Sequence, residues 1–158
     1  MAVITEQMIQ SAIDRACDTM SKGEGGPFGA LILTPDGQVF VSSNQVLKDH
    51  DPTAHAEVTC IRRACSALKS HDLSGCVLYT TCMPCPMCLS AVIWANYKEV
   101  YYGCTAKDAE SIGFRDDFIY RYIQGRCSDN ATLELKPLQR DRALKLFEDY
   151  KKQNGKIY

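Results

Sequence analysis

Hydrophobic positions recur along this chain with two periods, one typical of helices and one typical of strands. Residues 5–20 carry an apolar stripe at helical spacing, made up of Ile9, Ala12, Ile13, Ala16, Cys17 and Met20. Two short apolar runs follow at residues 30–33 and 38–41, and Thr34-Pro35-Asp36-Gly37 between them is typical of a hairpin turn. The pattern therefore predicts a helix followed by a β-hairpin.

Helical and strand patterns then alternate towards the end of the chain. Helices are predicted from Asp51-Pro52-Thr53 onwards, from the cysteine segment through Trp94, somewhere within residues 105–130, and at Leu138–Tyr150. Strands are predicted at Cys76–Thr81, Glu99–Gly103 and Thr132–Lys136. This alternation favours an α/β fold whose sheet is covered on both faces, and the hairpin makes that sheet mixed. Because there is no repeat or linker, residues 1–158 are expected to form one domain.

Composition narrows the class of protein further. No apolar run approaches the roughly 20 residues of a membrane span, and the first residues lack a signal-peptide pattern. The net charge of −1 argues against a polyanionic partner such as a nucleic acid. Nine cysteines without an export signal favour reduced thiols in the cytoplasm, and Cys17, Cys60, Cys65 and Cys104 are interpreted as core residues.

The chemistry of the chain centres on His55-Ala56-Glu57 and Pro84-Cys85-Pro86-Met87-Cys88. Imidazole and thiolate are zinc ligands, and three protein ligands with an open fourth position are typical of a catalytic site. The combination H-x-E with P-C-x-x-C is a known signature of zinc nucleobase deaminases. His55, Cys85 and Cys88 are therefore predicted to hold one zinc ion per chain.

Two points stay open at the level of residue spacing. Residues two apart do not share a helix face, so spacing alone does not bring Glu57 to the site of His55. Cys82 forms a second C-x-x-C with Cys85 and could compete as a ligand, although a packing role at a strand end is favoured. A metal-free redox dithiol is the other interpretation of the Cys85–Cys88 pair.

The chain resembles the cytidine and deoxycytidylate deaminase superfamily, and within it the bacterial guanine deaminases. The matching stretches are Gly25-Gly-Pro-Phe-Gly-Ala30, Asp51-Pro-Thr-Ala-His-Ala-Glu-Val-Thr59, Pro84-Cys-Pro-Met-Cys88, Gly113-Phe114 with Asp116, and Tyr158. The resemblance implies a three-layer α/β/α sandwich with a five-stranded mixed sheet. It also implies one zinc-dependent deaminase domain over residues 1–158, acting on a small nucleobase.

The same resemblance implies roles for individual residues. Glu57 would be the general acid and base, and Asp116 a carboxylate near the amino group that leaves. The substrate-binding residues it implies are Asn44, Phe28, Ala56, Trp94 and Tyr158; for Phe28 and Trp94 a core position is the alternative. It further implies a homodimer in which the last segment crosses to the partner's active site.

Several functions compete at this stage. Guanine deamination leads, ahead of deamination of guanosine, cytosine or another aminated heterocycle, and of a tRNA adenosine. A zinc-stabilised binding protein is the alternative without turnover, and such a structural site has no need of Glu57. The sequence does not decide between a free base and a nucleoside.

Overall fold

The computed structural model describes residues 3–158, so Met1 and Ala2 of the predicted domain lie outside the described residues. The elements in chain order are α1 (Glu6–Ser21), β1 (Gly29–Leu33), β2 (Val39–Ser43), α2 (Val46–Asp49), α3 (Ala56–Leu68), β3 (Val77–Cys82), α4 (Pro86–Trp94), β4 (Val100–Cys104), α5 (Ala106–Ser111), α6 (Asp117–Gln124) and α7 (Arg140–Lys152). These elements form two compact units, one up to Asp117 and one from Phe118 to Tyr158. The prediction of a single domain is not tested by this division.

The first unit is built on a mixed sheet, as predicted. Its strand order is β2-β1-β3-β4, with β1 antiparallel to both neighbours and β3 parallel to β4. A parallel pair needs a crossover, and here α4 supplies it between β3 and β4. This connection carries the cysteine segment out of the sheet at the carboxyl end of β3.

Alternate residues of β1 face two separate cores. Ala30 and Ile32 lie in one cluster with Ala56 and Cys60 of α3. The next residues along, Leu31 and Leu33, lie in a second cluster with Ala12 of α1. Helices therefore cover both faces of the sheet, which accounts for the complete burial of β1.

The five-stranded sheet is a wrong prediction, because the sheet formed by residues 3–158 has four strands. Residues 133–139, which include most of the predicted last strand, have no ladder partner in the described chain. Leu133 and Leu135 are accordingly exposed. Alternating hydrophobicity identifies a segment that can pair, but it does not determine whether that segment meets a sheet edge.

The apolar stripe of α1 is buried less completely than its pattern predicted. Ala12, Ala16 and Thr19 are buried, whereas Ile13, Cys17 and Met20 are exposed. The cause is a close approach, since a Cβ on Gly29 would lie 2.1 Å from the carbonyl oxygen of Ala12. Only small side chains fit between elements this close. Cys104, also predicted to be core, is exposed on the edge strand β4.

Within residues 3–158, none of the helices combines the length and the apolar character that a membrane crossing requires.

Candidate active site

Two helix starts bring the predicted metal ligands together. His55 is the N-cap residue of α3, and Cys85 is the N-cap residue of α4 with Cys88 in the first turn of that helix. Neither N-cap side chain makes a capping hydrogen bond, because both are directed at each other. Pro86 occupies the start of α4, where its missing N–H costs nothing.

The distances within this cluster fit a tetrahedral zinc site. Nδ1 of His55 lies 3.5 Å from Sγ of Cys85 and 3.5 Å from Sγ of Cys88. Zinc bonds of about 2.0 Å to nitrogen and 2.3 Å to sulfur, at a tetrahedral angle, place the two ligand atoms about 3.5 Å apart. Among the described residues, this is the one group whose three ligand atoms lie within 4.8 Å of one another. The donor set leaves the fourth tetrahedral position open.

The electrostatics of the three groups favour a thiolate. A hydrogen bond from Cys88, assisted by one from His55, lowers the pKa of Cys85 to about 4. The hydrogen bond between Cys88 and Cys85, together with burial, raises the pKa of Cys88. The hydrogen bond between His55 and Cys85 raises the pKa of His55. Because cysteine ligands of zinc must be thiolates, metal binding would release the proton of the Cys88 thiol.

Glu57 lies beside the same cluster, a position that the spacing of residues in the sequence did not decide. Its side chain is 6% exposed and interacts by hydrogen bonding with Cys88. The rule that residues two apart face different ways holds within a helix, but His55 precedes the helix with ψ 157. The predicted start of this helix at Asp51-Pro52-Thr53 was wrong, because those residues form a turn and α3 begins at Ala56. Burial raises the pKa of the Glu57 carboxyl.

Cys82 lies outside the cluster. It is buried at the end of β3, and its Sγ contacts the carbonyl oxygen of Thr105 at 3.5 Å. Burial raises its pKa to about 11, which disfavours the thiolate that a ligand must supply.

Asn44 is buried just after β2, and its amide oxygen is already in use. Its Oδ1 accepts hydrogen bonds from the backbone N–H groups of Gly26 and Val46, each at 3.2 Å. A Cβ on Gly25 would lie 2.0 Å from the Asn44 carbonyl oxygen, so this turn requires a glycine. With its oxygen held in this way, the Asn44 side chain keeps Nδ2 as its one further hydrogen-bonding group, which is a donor.

Two phenylalanines join the start of β1 to the loop after α5. The rings of Phe28 and Phe114 meet edge to face, with centroids 5.0 Å apart and an angle of 88°. Asp116, two residues beyond Phe114, is close enough to Cys85 for the charge of that thiolate to add to burial in raising the pKa of Asp116. Phe114 belongs to one of the matching motifs, but the sequence predicted no role for it. The sequence signal that could have identified Phe114 is an aromatic residue directly after a glycine. In the structure that glycine, Gly113, has a φ of 99°.

The remaining predicted site residues differ widely in exposure. Ala56 is fully buried in the first turn of α3, where backbone N–H groups have no helical acceptor. Trp94, the last residue of α4, is 73% exposed, so its alternative role as a core residue is wrong. Tyr158 belongs to the second unit and is 80% exposed.

A mixed α/β sheet with a three-ligand His/Cys/Cys cluster and a buried glutamate beside it defines a hydrolytic zinc enzyme. The model of the cytidine and deoxycytidylate deaminase zinc-binding region matches residues 3–104, and the chain belongs to this family.

Comparison with individual relatives adds detail. Guanine deaminase of Bacillus subtilis is 47% identical over 118 residues, which cover 75% of this chain and 76% of the relative. An X-ray structure of that guanine deaminase superposes with a TM-score of 0.88 and 38% identity, covering 99% of each chain. A tRNA-specific adenosine deaminase of Agrobacterium fabrum is 45% identical over 78 residues, covering 49% of this chain and 51% of the relative.

Proposed function

We propose that this protein hydrolyses guanine to xanthine and ammonia, in a reaction that exchanges the C2 amino group for an oxygen from water. The observation that carries the proposal is the buried carboxyl of Glu57 beside the His55–Cys85–Cys88 cluster. A purely structural zinc site has no use for that carboxyl, whereas a hydrolase needs one. The guanine deaminase of Bacillus subtilis, similar along 99% of the chain, supports guanine as the base.

The site residues divide the work between metal binding and proton transfer. His55, Cys85 and Cys88 hold one zinc ion per chain, which when bound supplies Lewis acidity and lowers the pKa of water. Glu57 takes a proton from the attacking water and returns protons to the ring nitrogen and the departing ammonia. Its raised pKa suits this exchange, because a carboxyl that both accepts and donates works best near the operating pH.

The base is oriented by polar groups around the cluster. Asp116 accepts from the N–H groups along the N1 and N2 edge of guanine. Asn44 donates from Nδ2 to an acceptor of the base, and cannot also accept, since its Oδ1 serves two backbone groups. Ala56 offers its backbone N–H at the start of α3. Phe28 supplies an aromatic wall, supported by Phe114, and Trp94 contributes a second aromatic surface.

We further propose that the enzyme is a homodimer in which the last segment of each chain serves the partner. Leu133 and Leu135 flank Glu134 in a stretch that has no ladder partner among the described residues, and β4 is an edge strand. An unpaired edge and an unpaired strand-like segment in the same chain favour pairing between copies. In such a dimer Tyr158, 80% exposed in one chain, covers the partner's bound base.

Ammonia release from a panel of guanine, guanosine, cytosine, adenine and ammeline tests the proposed substrate. Guanine is expected to be the best substrate among these compounds. Cytosine turnover at least as efficient as guanine turnover would refute the guanine assignment while leaving the family intact. Adenosine deamination in tRNA is the second candidate, favoured by the relatives that act on tRNA, and adding the tRNA to the panel tests it.

Metal content separates the enzyme from the alternatives of a redox protein or a binding protein. About one zinc per chain is expected, and Cys85→Ser is expected to release it, whereas Cys82→Ser retains it. Equal loss in both variants would show that Cys82 is a ligand. Glu57→Gln should keep zinc and the fold while lowering turnover by at least about 10²–10⁴, the effect of a lost general acid and base. Unchanged turnover in this variant would refute the mechanism.

A further inference from the structure

The turn before α3 holds the metal ligand His55 in place without help from its side chain. N-cap residues usually satisfy the first free N–H groups of a helix with a side-chain oxygen. The His55 side chain makes no such bond and is directed at the cysteines. The conformation of this N-cap must therefore be fixed from outside the residue.

Three polar side chains around the turn supply that constraint. Oδ1 of Asp51 accepts from the backbone N–H of Thr53 at 2.8 Å and from its hydroxyl at 2.7 Å. The guanidinium of Arg62 reaches back from α3, donating to Oδ2 of Asp51 at 3.2 Å and to the Thr53 hydroxyl at 3.0 Å. Every member of this trio, here called the α3 clamp, is thus bonded to both of the others.

The α3 clamp connects directly to the backbone of the ligand. The carbonyl oxygen of Thr53 accepts from the N–H of His55 at 2.8 Å, and that of Asp51 accepts from Ala54 at 3.0 Å. Arg62 lies seven residues beyond His55, which is two helical turns, and therefore lies on the same face of α3 as His55. Its hydrogen bonds connect the turn at residues 51–53 to that face of the helix. A shift of the turn relative to α3 would rotate the His55 imidazole away from the two sulfurs.

We propose that the α3 clamp positions His55 for zinc binding, which makes Arg62 a positioning residue of the metal site. The inference rests on the proposed zinc site, but it assigns a role outside the ligands and Glu57. The Arg62 and Asp51 side chains are 56% and 35% exposed, so their ion pair adds little to folding stability. Groups that orient metal ligands, in contrast, commonly change metal affinity about 10- to 100-fold when they are removed.

The next residue of the helix offers a matched control. Arg63 carries the same charge on the same helix, but it donates to the carbonyl of Val41 and the hydroxyl of Ser42 in β2. Arg62→Gln and Arg63→Gln therefore remove equal charge near the site, and only the first breaks the α3 clamp. Thr53→Val and Thr53→Ser form a second pair, since valine keeps the shape and serine keeps the hydroxyl.

Zinc affinity of the full-length protein, measured by competition with a chelator, tests the proposal. Arg62→Gln and Thr53→Val should raise the zinc dissociation constant about 10-fold or more, while Arg63→Gln and Thr53→Ser stay near wild type. Substitution of cobalt(II) for zinc adds a spectroscopic readout, because its visible absorption depends on ligand geometry and should change in the first pair alone. Circular dichroism checks that all four variants keep the fold.

Two results would count against different parts of the argument. Equal zinc affinity and equal cobalt spectra in Arg62→Gln and Arg63→Gln would overturn the α3 clamp and leave the zinc site standing. Failure of the wild-type protein to bind zinc would overturn the proposed function itself.

Discussion

Two substitutions separate the structural role of the Asn44 amide from the base-recognition role proposed for it. Asn44→Asp keeps an oxygen for the N–H groups of Gly26 and Val46 but removes the Nδ2 donor. Asn44→Ala removes both the oxygen and the donor. If the roles are assigned correctly, stability and base recognition respond differently to the two changes.

The expected magnitudes follow from the burial and the partners of the side chain. Asn44 is 6% exposed, and in Asn44→Ala two partly buried N–H groups lose their acceptor. At the lower end of about 1–3 kcal/mol for each such group, this variant should lose about 2–3 kcal/mol of unfolding free energy. Asn44→Asp should lose clearly less. Both variants leave an acceptor of the base unpaired, and about 1–3 kcal/mol of lost recognition corresponds to a 5- to 150-fold lower kcat/KM for guanine.

Urea unfolding and steady-state ammonia release measure these two effects on the same preparations. An Asn44→Asp variant as unstable as Asn44→Ala would show that Oδ1 does not hold the turn. A kcat/KM for guanine at the wild-type level in Asn44→Asp would show that Nδ2 does not face the base. Either result would refute the corresponding half of the reasoning.

Three further predictions concern recognition, assembly and acid stability. Asp116→Asn should lower guanine turnover far more than zinc content, because it removes an acceptor for the N–H edge of guanine. Turnover and zinc content are measured on the same preparations, and equal losses of the two would show that Asp116 has a structural role. Deletion of residues 155–158 should leave zinc bound but sharply lower turnover. Mixing the truncated chain with the Glu57→Gln chain should restore part of the turnover, since one site of the mixed dimer then has both Glu57 and a Tyr158 donated by the partner. Full activity of the truncated chain, or monomers at all concentrations, would contradict the exchange of C-terminal segments. Hydrogen bonds from Thr34 and Gln38 lower the pKa of Asp36, so its carboxylate contributes stability above the unfolded pKa of about 3.9 that is lost as the pH falls through the folded value. Wild type and Asp36→Asn should therefore differ in urea stability at pH 6, and the difference should shrink as the pH falls below about 3.9 and vanish below the lowered pKa of Asp36. A constant difference would argue against this role.

Local patterns in the sequence were sufficient to predict most elements of the first unit. The hairpin between β1 and β2, the strand before the cysteines and the helix after them depend on turn residues and periodicity within a few positions. The His55–Cys85–Cys88 cluster was also predictable, because zinc needs particular donor types and the Cys85–Cys88 spacing of one helical turn brings both sulfurs to the same side.

Close contacts between elements were decided only in three dimensions. The approach of α1 to Gly29 selects Ala12 and Ala16 for burial and leaves Ile13 outside, which no helical periodicity reveals. The start of α3 at Ala56, after a turn held by a side chain two helical turns away, depends on contacts that a local propensity does not contain.

In the candidate active site, too, some features follow from the sequence and others from tertiary structure. Donor chemistry is a property of residue types, so the sequence alone was enough to predict His55, Cys85 and Cys88 as zinc ligands. Whether Glu57 reaches His55 and the cysteines depends on the backbone at His55, and whether residues 132–136 become a strand depends on whether they meet a sheet edge. The sequence thus determined the kind of chemistry, while tertiary structure decided which groups meet, because distances between elements come from packing and not from local order.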